Sequence, residues 1–204
     1  MSTDNPGDWE AFHQATRGRP PRELLTRTLN FFAVEGRAGG VAVDLGCGSG
    51  PDARELLRRG WQVHAVDAEP AGLDLLRQSV PPDYQARLHT HAARMEDFDL
   101  PPCDLVWAGF ALPFVSAQAW SPLLRRVFAA LRPGGRFAGD IFGDRHAWAS
   151  EDGVLTRRED QVRGDLAEFR IEAFDVEDGW RVSGNEVTRW HAFGFAVRKP
   201  ADPG

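Results

Sequence analysis

Residues Val41 to Gly50 read VAVDLGCGSG, an apolar run carrying an acid, Asp44, just before three glycines at alternate positions, Gly46, Gly48 and Gly50. Such a run predicts a buried strand meeting a tight turn ahead of a helix, and alternate glycines let a ligand approach the backbone closely. A second apolar run, WQVHAVDAEP, closes on Asp67. That is about twenty residues past the glycines, where an open α/β fold places the acid that holds ribose hydroxyls. The two signals in this order predict a nucleotide-like cofactor at the ends of neighbouring strands.

The rest of the chain keeps the same rhythm. DWEAFHQA, from Asp8 to Ala15, predicts a short helix with Trp9 and Phe12 on one side; Pro20 and Pro21 open a second through Leu24, Leu25, Leu29 and Phe32, ending near Gly36. Past the glycine turn, Asp52 to Arg59 predicts a helix with Leu56 and Leu57 inward and Gly60 as its stop. Pro70 sits in the first turn of the next helix, which Pro81 and Pro82 end. ARLHTHA reads as a third strand with His89 and His91 on one side, and CDLVWAGFAL as a central fourth, bounded by Pro101, Pro102 and Pro113. Ser121 and Pro122 read as cap and first turn of a helix burying Leu123, Leu124, Val127, Phe128 and Leu131, which RPGGR turns into the strand RFAGDIFG. Thr156 to Ala167 is expected as a last helix. FRIEAFDVED and TRWHAFGFAVR follow with no helix between them, which favours an antiparallel pair at the sheet edge. Residues 1–204 thus read as one α/β domain of parallel βαβ units with right-handed crossovers. Within it 1–7 are expected to be mobile, 8–36 to form helices over the cofactor and substrate side, and 37–199 to form the core.

The net charge is -6, from 30 acids against 24 bases, so the field of the whole chain repels nucleic acid. No apolar run is long enough for a membrane span and no secretory leader is visible, which makes the cytoplasm the expected compartment. Cys47 and Cys103 are the only cysteines, too few for a disulfide framework or a structural zinc site, and no metal is expected.

The turn itself separates cofactor classes. A dinucleotide fingerprint needs G-x-G-x-x-G, whereas this chain has G-x-G-x-G followed by Pro51. Asp44 is awkward beside a pyrophosphate and suits a cofactor with a cationic amine. Asp44, Gly46, Gly48 and Gly50 match the D-x-G-x-G-x-G motif of the class I S-adenosylmethionine-dependent methyltransferases, which the chain resembles over residues 20–200. The resemblance implies a doubly wound, mostly parallel seven-stranded sheet of Rossmann-like form with an antiparallel C-terminal edge hairpin. It also implies S-adenosylmethionine as cofactor, S-adenosylhomocysteine as product and a small-molecule acceptor. Asp44 and the backbone at Gly46 and Cys47 would meet the methionine part, with Gly48 and Gly50 completing the turn, and Asp67 with its neighbour Ala68 would meet the ribose. ARMED, Ala93 to Asp97, falls where the family contacts adenine, with Met95 against the ring; Arg94 stands where the family often has an acid, and Glu96 would substitute. WAGFAL falls where the family lines the methyl-donor side, through Trp107, Ala108 and Phe110. The wording GRPPRELL, FALPF, FGDRHAWA and RWH is most similar to the small-molecule branch that includes the tellurite-resistance methyltransferases.

Methyl transfer from a sulfonium is an in-line displacement in which positioning in a dry cavity supplies most of the acceleration, so a base is optional. For an acceptor that must lose a proton, a base adds about a hundredfold or more, and His146, Asp144 and His191 are the candidates. Each histidine stands alone, and a satisfied or surface ring is the competing reading. Arg19, within the cluster Arg17, Arg19 and Arg22, would receive an oxyanion or belong to a solvated helix face. Phe110 and Trp148 are candidates for the acceptor side, and Trp9, Phe12 and Trp148 either pack or close a lid. Two rival functions share these features: an NAD(P)-dependent oxidoreductase and a non-catalytic cofactor-binding domain. The chain could act as a monomer or a homodimer.

Overall fold

The computed structural model describes residues 9–183 and 186–201; residues 1–7, expected to be mobile, lie outside the described residues. Helices α1 (Trp9–Thr16) and α2 (Glu23–Val34) precede strand β1 (Val41–Leu45). Then follow α3 (Pro51–Arg58), β2 (Gln62–Asp67), α4 (Pro70–Ser79), the single turn α5 (Pro82–Gln85), β3 (Leu88–Ala92) and β4 (Cys103–Ala108). After a 3-10 turn at Leu112–Phe114 come α6 (Ala117–Ala130), β5 (Leu131–Gly143), β6 (Thr156–Arg157), α7 (Glu159–Asp165), β7 (Arg170–Ser183) and β8 (Glu186–Arg198).

The strands form one sheet in the order β3-β2-β1-β4-β5-β8-β7, with β6 paired to β5. All pairings are parallel except β5 with β8 and β7 with β8. The chain winds outward from β1 to β3 and then returns to lay β4 against the other side of β1. This reversal leaves a crevice beyond the carboxyl end of β1, the place where open α/β sheets bind ligands.

Two apolar layers hold the sheet. On one side Leu25, Leu29 and Phe32 of α2 and Leu56 and Leu57 of α3 pack with Trp61 and Trp107; on the other Trp120, Leu123 and Val127 of α6 pack with Phe137, Phe193 and Phe195. Each such side chain, fully buried, contributes about 1.5–3 kcal/mol. Arg136 is buried within β5 and pairs with Glu35 after α2 at 2.6 Å and Glu172 of β7 at 2.6 Å, with its guanidinium 4.3 Å from the Phe32 ring.

Three expectations change. The cap of α6 is Ser116, whose side chain accepts from the N–H of Ala119, and Pro122 lies inside the helix. Starting five residues earlier adds Trp120 to the stripe of Leu123, Leu124 and Val127 at helical spacing, and burying that indole outweighs the bond Pro122 cannot make. Thr156 and Arg157 are strand, paired to Phe142 and Gly143, so the last helix starts only at Glu159. Strand β4 stops at Ala108, because Phe110 adopts a left-handed backbone at φ 53° and turns the chain out of the sheet.

Candidate active site

The carboxyl end of β1 carries the glycine turn. The N–H groups of Gly46 and Cys47 both donate to the carbonyl of Val66, at 2.8 and 3.0 Å, which folds the turn against β2. Gly46 and Gly48 have φ of 69° and 53°, and a Cβ on Gly46 would collide with that of Ala111, while one on Gly48 would lie 3.0 Å from the His13 ring. Position and backbone both require glycine here. The His13 ring, buried under α1, closes the turn from above. Asp44 is 1 % exposed, and its Oδ2 has no partner among the described residues. Burial, then the nearby charge of Asp52, pushes its carboxyl well above the usual range. A cation brought to that carboxyl would restore its charge and satisfy its free oxygen, which fits an amine-bearing cofactor.

Asp67 ends β2 as expected. One of its oxygens accepts from the N–H of Gly48 at 2.7 Å and the other from that of Glu69 at 2.9 Å, so the acid also ties the two loops together. Each oxygen retains a second lone pair for a hydroxyl donor. Ala68 beside it is exposed. Met95 is half-buried, and its Cε lies 3.7 Å from the position of a Gly46 Cβ, so ARMED reaches the turn. Glu96 accepts from Arg94 Nε at 2.9 Å, while Arg126 of α6 donates to the carbonyls of Glu96 and Phe98 and anchors this loop. Cys47 and Cys103 are buried, and burial pushes both thiols up, Cys103 to about 12. No group of three metal-ligating side chains occurs among the described residues.

Trp107 and Ala108 face the core and not the crevice. Both are fully buried, and the indole Nε1 of Trp107 donates to Asp52 at 3.2 Å. In β4 each packs into an apolar layer on its own face of the sheet, Trp107 with the residues of α2 and α3 and Ala108 with those of α6. Phe110, half-buried past the end of β4, is the member of this trio that reaches the site. Arg19 also differs from expectation: it donates to both oxygens of Asp52, at 3.1 and 2.6 Å, so its fork is spent on α3. Asp52 additionally accepts from the backbone N–H of Arg22 at 2.9 Å. It thereby links α3, β4 and the entry to α2, a role that its helical context in the sequence does not signal.

Arg22 brings a second cation to Asp52. Its guanidinium lies 4.5 Å from the Phe110 ring centroid and 3.8 Å from Asp52, and its buried Nε has no hydrogen-bond partner among the described residues. Across from it on β5 is Asp140, 8 % exposed, whose Oδ2 is likewise unpartnered. Burial raises its pKa to about 7, opposed by Arg22. An acid in the apolar strand RFAGDIFG was the available signal for it.

The three base candidates separate. His146 stacks on Phe142 with centroids 3.8 Å apart, and Trp148 and Trp190 stand at 5.6 and 4.9 Å. Its Nδ1 accepts from the N–H of Trp148 at 3.1 Å, and burial lowers its pKa to about 4. The ring is therefore neutral with its proton on Nε2, so it presents a donor and is no base near neutral pH. His191 sits on the opposite sheet face, against Gly143 and Phe193, where its Nδ1 accepts from the N–H of Arg145 at 3.1 Å. Asp144 is 3.4 Å from that same ring nitrogen and exposed. The alternation of β5 points Asp140 and Phe142 to one face and Gly143 to the other, so His191 braces the loop after β5 from the far face and Asp144 lies exposed beside it. Trp148 is half-buried beside His146 and Phe142.

Comparison with known proteins adds three findings. A family model described as a methyltransferase domain matches residues 42–135, which include the glycine turn, Asp67, ARMED and β4. The chain is similar to a trans-aconitate 2-methyltransferase of Paracidovorax citrulli, 29 % identical over 196 residues, covering 92 % of this chain and 71 % of that protein. It is also similar to a magnesium-protoporphyrin O-methyltransferase of Rhodobacter capsulatus, 36 % identical over 113 residues, covering 55 % of this chain and 49 % of that one. Among solved structures, the N-methyltransferase NodS of Bradyrhizobium japonicum, in complex with S-adenosylhomocysteine, superposes with TM-score 0.69 at 15 % identity over 94 % of this chain and 98 % of its own. TehB of Haemophilus influenzae gives 0.72 at 13 %, over 85 % and 62 %.

Proposed function

We propose, on the methyltransferase domain matched over residues 42–135 and the methyltransferases it is similar to, that this chain, as a class I S-adenosylmethionine-dependent methyltransferase, methylates a small molecule in the crevice beyond β1 and β4. The observation that carries this reading is the convergence at one turn of an unpartnered buried acid, Asp44, and the strand-ending acid Asp67, around glycines that no side chain could replace. Asp44 would hold the cationic amine and Asp67 the ribose hydroxyls, with Met95 against the adenine and the Gly46 to Gly50 backbone beneath. When bound, the cofactor supplies an electrophilic methyl group on a sulfonium sulfur.

The protein's own contribution is positioning and exclusion of water. α1 roofs the turn through His13, and the half-buried rings of Phe110 and Trp190 flank the far end. A crevice closed in this way aligns an acceptor and keeps competing water out, the two terms that dominate an in-line displacement. The acidic balance of the chain supports a small acceptor over a nucleic acid, and the cytoplasm is the compartment we assign. Calorimetric titration with S-adenosylhomocysteine tests the reading: micromolar or tighter binding with none of NAD(P) is expected, and the reverse would replace it with the oxidoreductase alternative.

A further inference from the structure

We propose that Asp140 is the proton acceptor of this site, and that the methyl acceptor is a flat phenolic or enolic molecule held against the cluster of Phe110, Trp190 and His146 with its oxygen toward Arg22. This deepens the reading above and rests on it. Four buried polar atoms lack a protein partner here: Arg22 Nε, His146 Nε2, Trp190 Nε1 and Asp140 Oδ2. Buried polar groups are nearly always paired, and leaving one unpaired costs about 1–3 kcal/mol. Such a group of them points to a ligand. The three nitrogens are contiguous, because Arg22 lies over Phe110, whose ring is 5.4 Å from Trp190, which in turn is 4.9 Å from His146, and Asp140 joins them through the charge of Arg22 that acts on its carboxyl.

The composition of the set specifies the ligand. Three of the four are N–H donors, since the tautomer of His146 is fixed by Trp148, so the ligand must bring oxygen lone pairs. The fourth is a carboxyl, which can take one proton. One wall is aromatic: the rings of Phe110, Phe142 and Trp190 pack on one another at 5.4 to 5.9 Å, a surface that favours a flat π-system over an aliphatic chain. The charged groups that act on Asp140 are Arg22 from the entry to α2, Asp52 from α3 and Glu177 from β7. Burial against the pull of Arg22 leaves it basic enough to accept a proton near neutrality. The acceptor oxygen gives its proton to Asp140 as its lone pair forms the new bond to carbon. The carbon–sulfur electron pair stays with the sulfur, which leaves as a neutral thioether.

The test is equilibrium binding to the protein loaded with S-adenosylhomocysteine, with 2-naphthol and 2-methoxynaphthalene as fluorescent probes. The hydroxyl probe is expected to bind about tenfold or more tighter than its methyl ether, because a site built to hydrogen-bond a hydroxyl rejects the analogue lacking it. Asp140→Asn should reduce that preference to about threefold or less and flatten its rise with pH through neutrality, with S-adenosylhomocysteine affinity unchanged; Arg22→Met should weaken the hydroxyl probe alone. Equal affinity for the two probes, an unaltered preference in Asp140→Asn, or displacement of neither probe's solvent signal at millimolar concentration would overturn the proposal. So would preferential binding of an aliphatic tricarboxylate. Failure to bind S-adenosylhomocysteine at all would overturn the cofactor reading first, and this one with it.

Discussion

The backbone N–H of Gly48 donates to the carboxylate of Asp67 across 2.7 Å, so the acid that ends β2 fixes the turn that follows β1. Replacing Asp67 by Ala therefore removes two things at once, the proposed ribose partner and the anchor of the glycine turn. Cofactor affinity should fall by about 10–100-fold, or about 1–3 kcal/mol, and thermal stability should fall as well. Asp67→Asn retains a carbonyl acceptor and should recover much of the stability but little of the affinity. Calorimetry and thermal unfolding of the two variants check this; an unchanged affinity removes Asp67 from the site.

Gly48 sits at φ 53° with the His13 ring 3.0 Å from its would-be Cβ. Gly48→Val should abolish measurable cofactor binding through strain of about 1–2 kcal/mol and displacement of α1. Normal binding by a folded Gly48→Val protein would contradict the close approach inferred for this turn.

Because His13 closes the turn from α1, ligand binding should order that helix. Amide hydrogen exchange across Trp9–Thr16 is expected to slow by about tenfold or more with S-adenosylhomocysteine. Exchange that ignores the ligand would show that α1 takes no part in the site.

Arg136 is a buried cation satisfied by two carboxylates. Burial disfavours its charge, and the hydrogen bonds it donates to Glu35 and Glu172 more than offset that, so its pKa is raised. Arg136→Ala should destabilise by about 3–5 kcal/mol, the cost of breaking a buried pair, and should leave the glycine turn intact. Chemical denaturation measures it, and a loss below about 1 kcal/mol would mean the pairs are solvent-screened.

Asp140 carries a pH signature in stability. Its folded pKa, about 7, lies above the ordinary carboxyl value of 3.8 because of burial. The native state then holds a proton that the unfolded chain has released, and stability drains away as pH rises from about 4 to about 7, by on the order of 4 kcal/mol, and is flat above. The stability difference between Asp140→Asn and the native sequence should move in favour of the variant across that window. A difference independent of pH would place the Asp140 carboxyl in an ordinary environment.

What the sequence determined by itself is the part of the protein encoded by neighbours along the chain. The run VAVDLGCGSG became a strand and turn, and Asp67 closed the adjacent strand, because a glycine turn, a strand period and the length of a βα unit are local properties. Even there, tertiary burial overruled local chemistry: Trp120 drew the start of α6 back to Ser116, past the Ser121 and Pro122 pair that reads as a cap. The face a side chain takes was also undecided locally, so Trp107 turned into the core and His191 to the far side of the sheet. Of the acceptor end the sequence offered Phe110 and Trp148 but not the assembly around them, for a physical reason. Arg22, Phe110, Asp140 and Trp190 lie on four separate segments, and they meet only because β4, β5 and β8 are neighbours in the sheet and the entry to α2 lies over them. Which polar atoms found no partner, and hence what they are shaped to hold, depended on that packing alone.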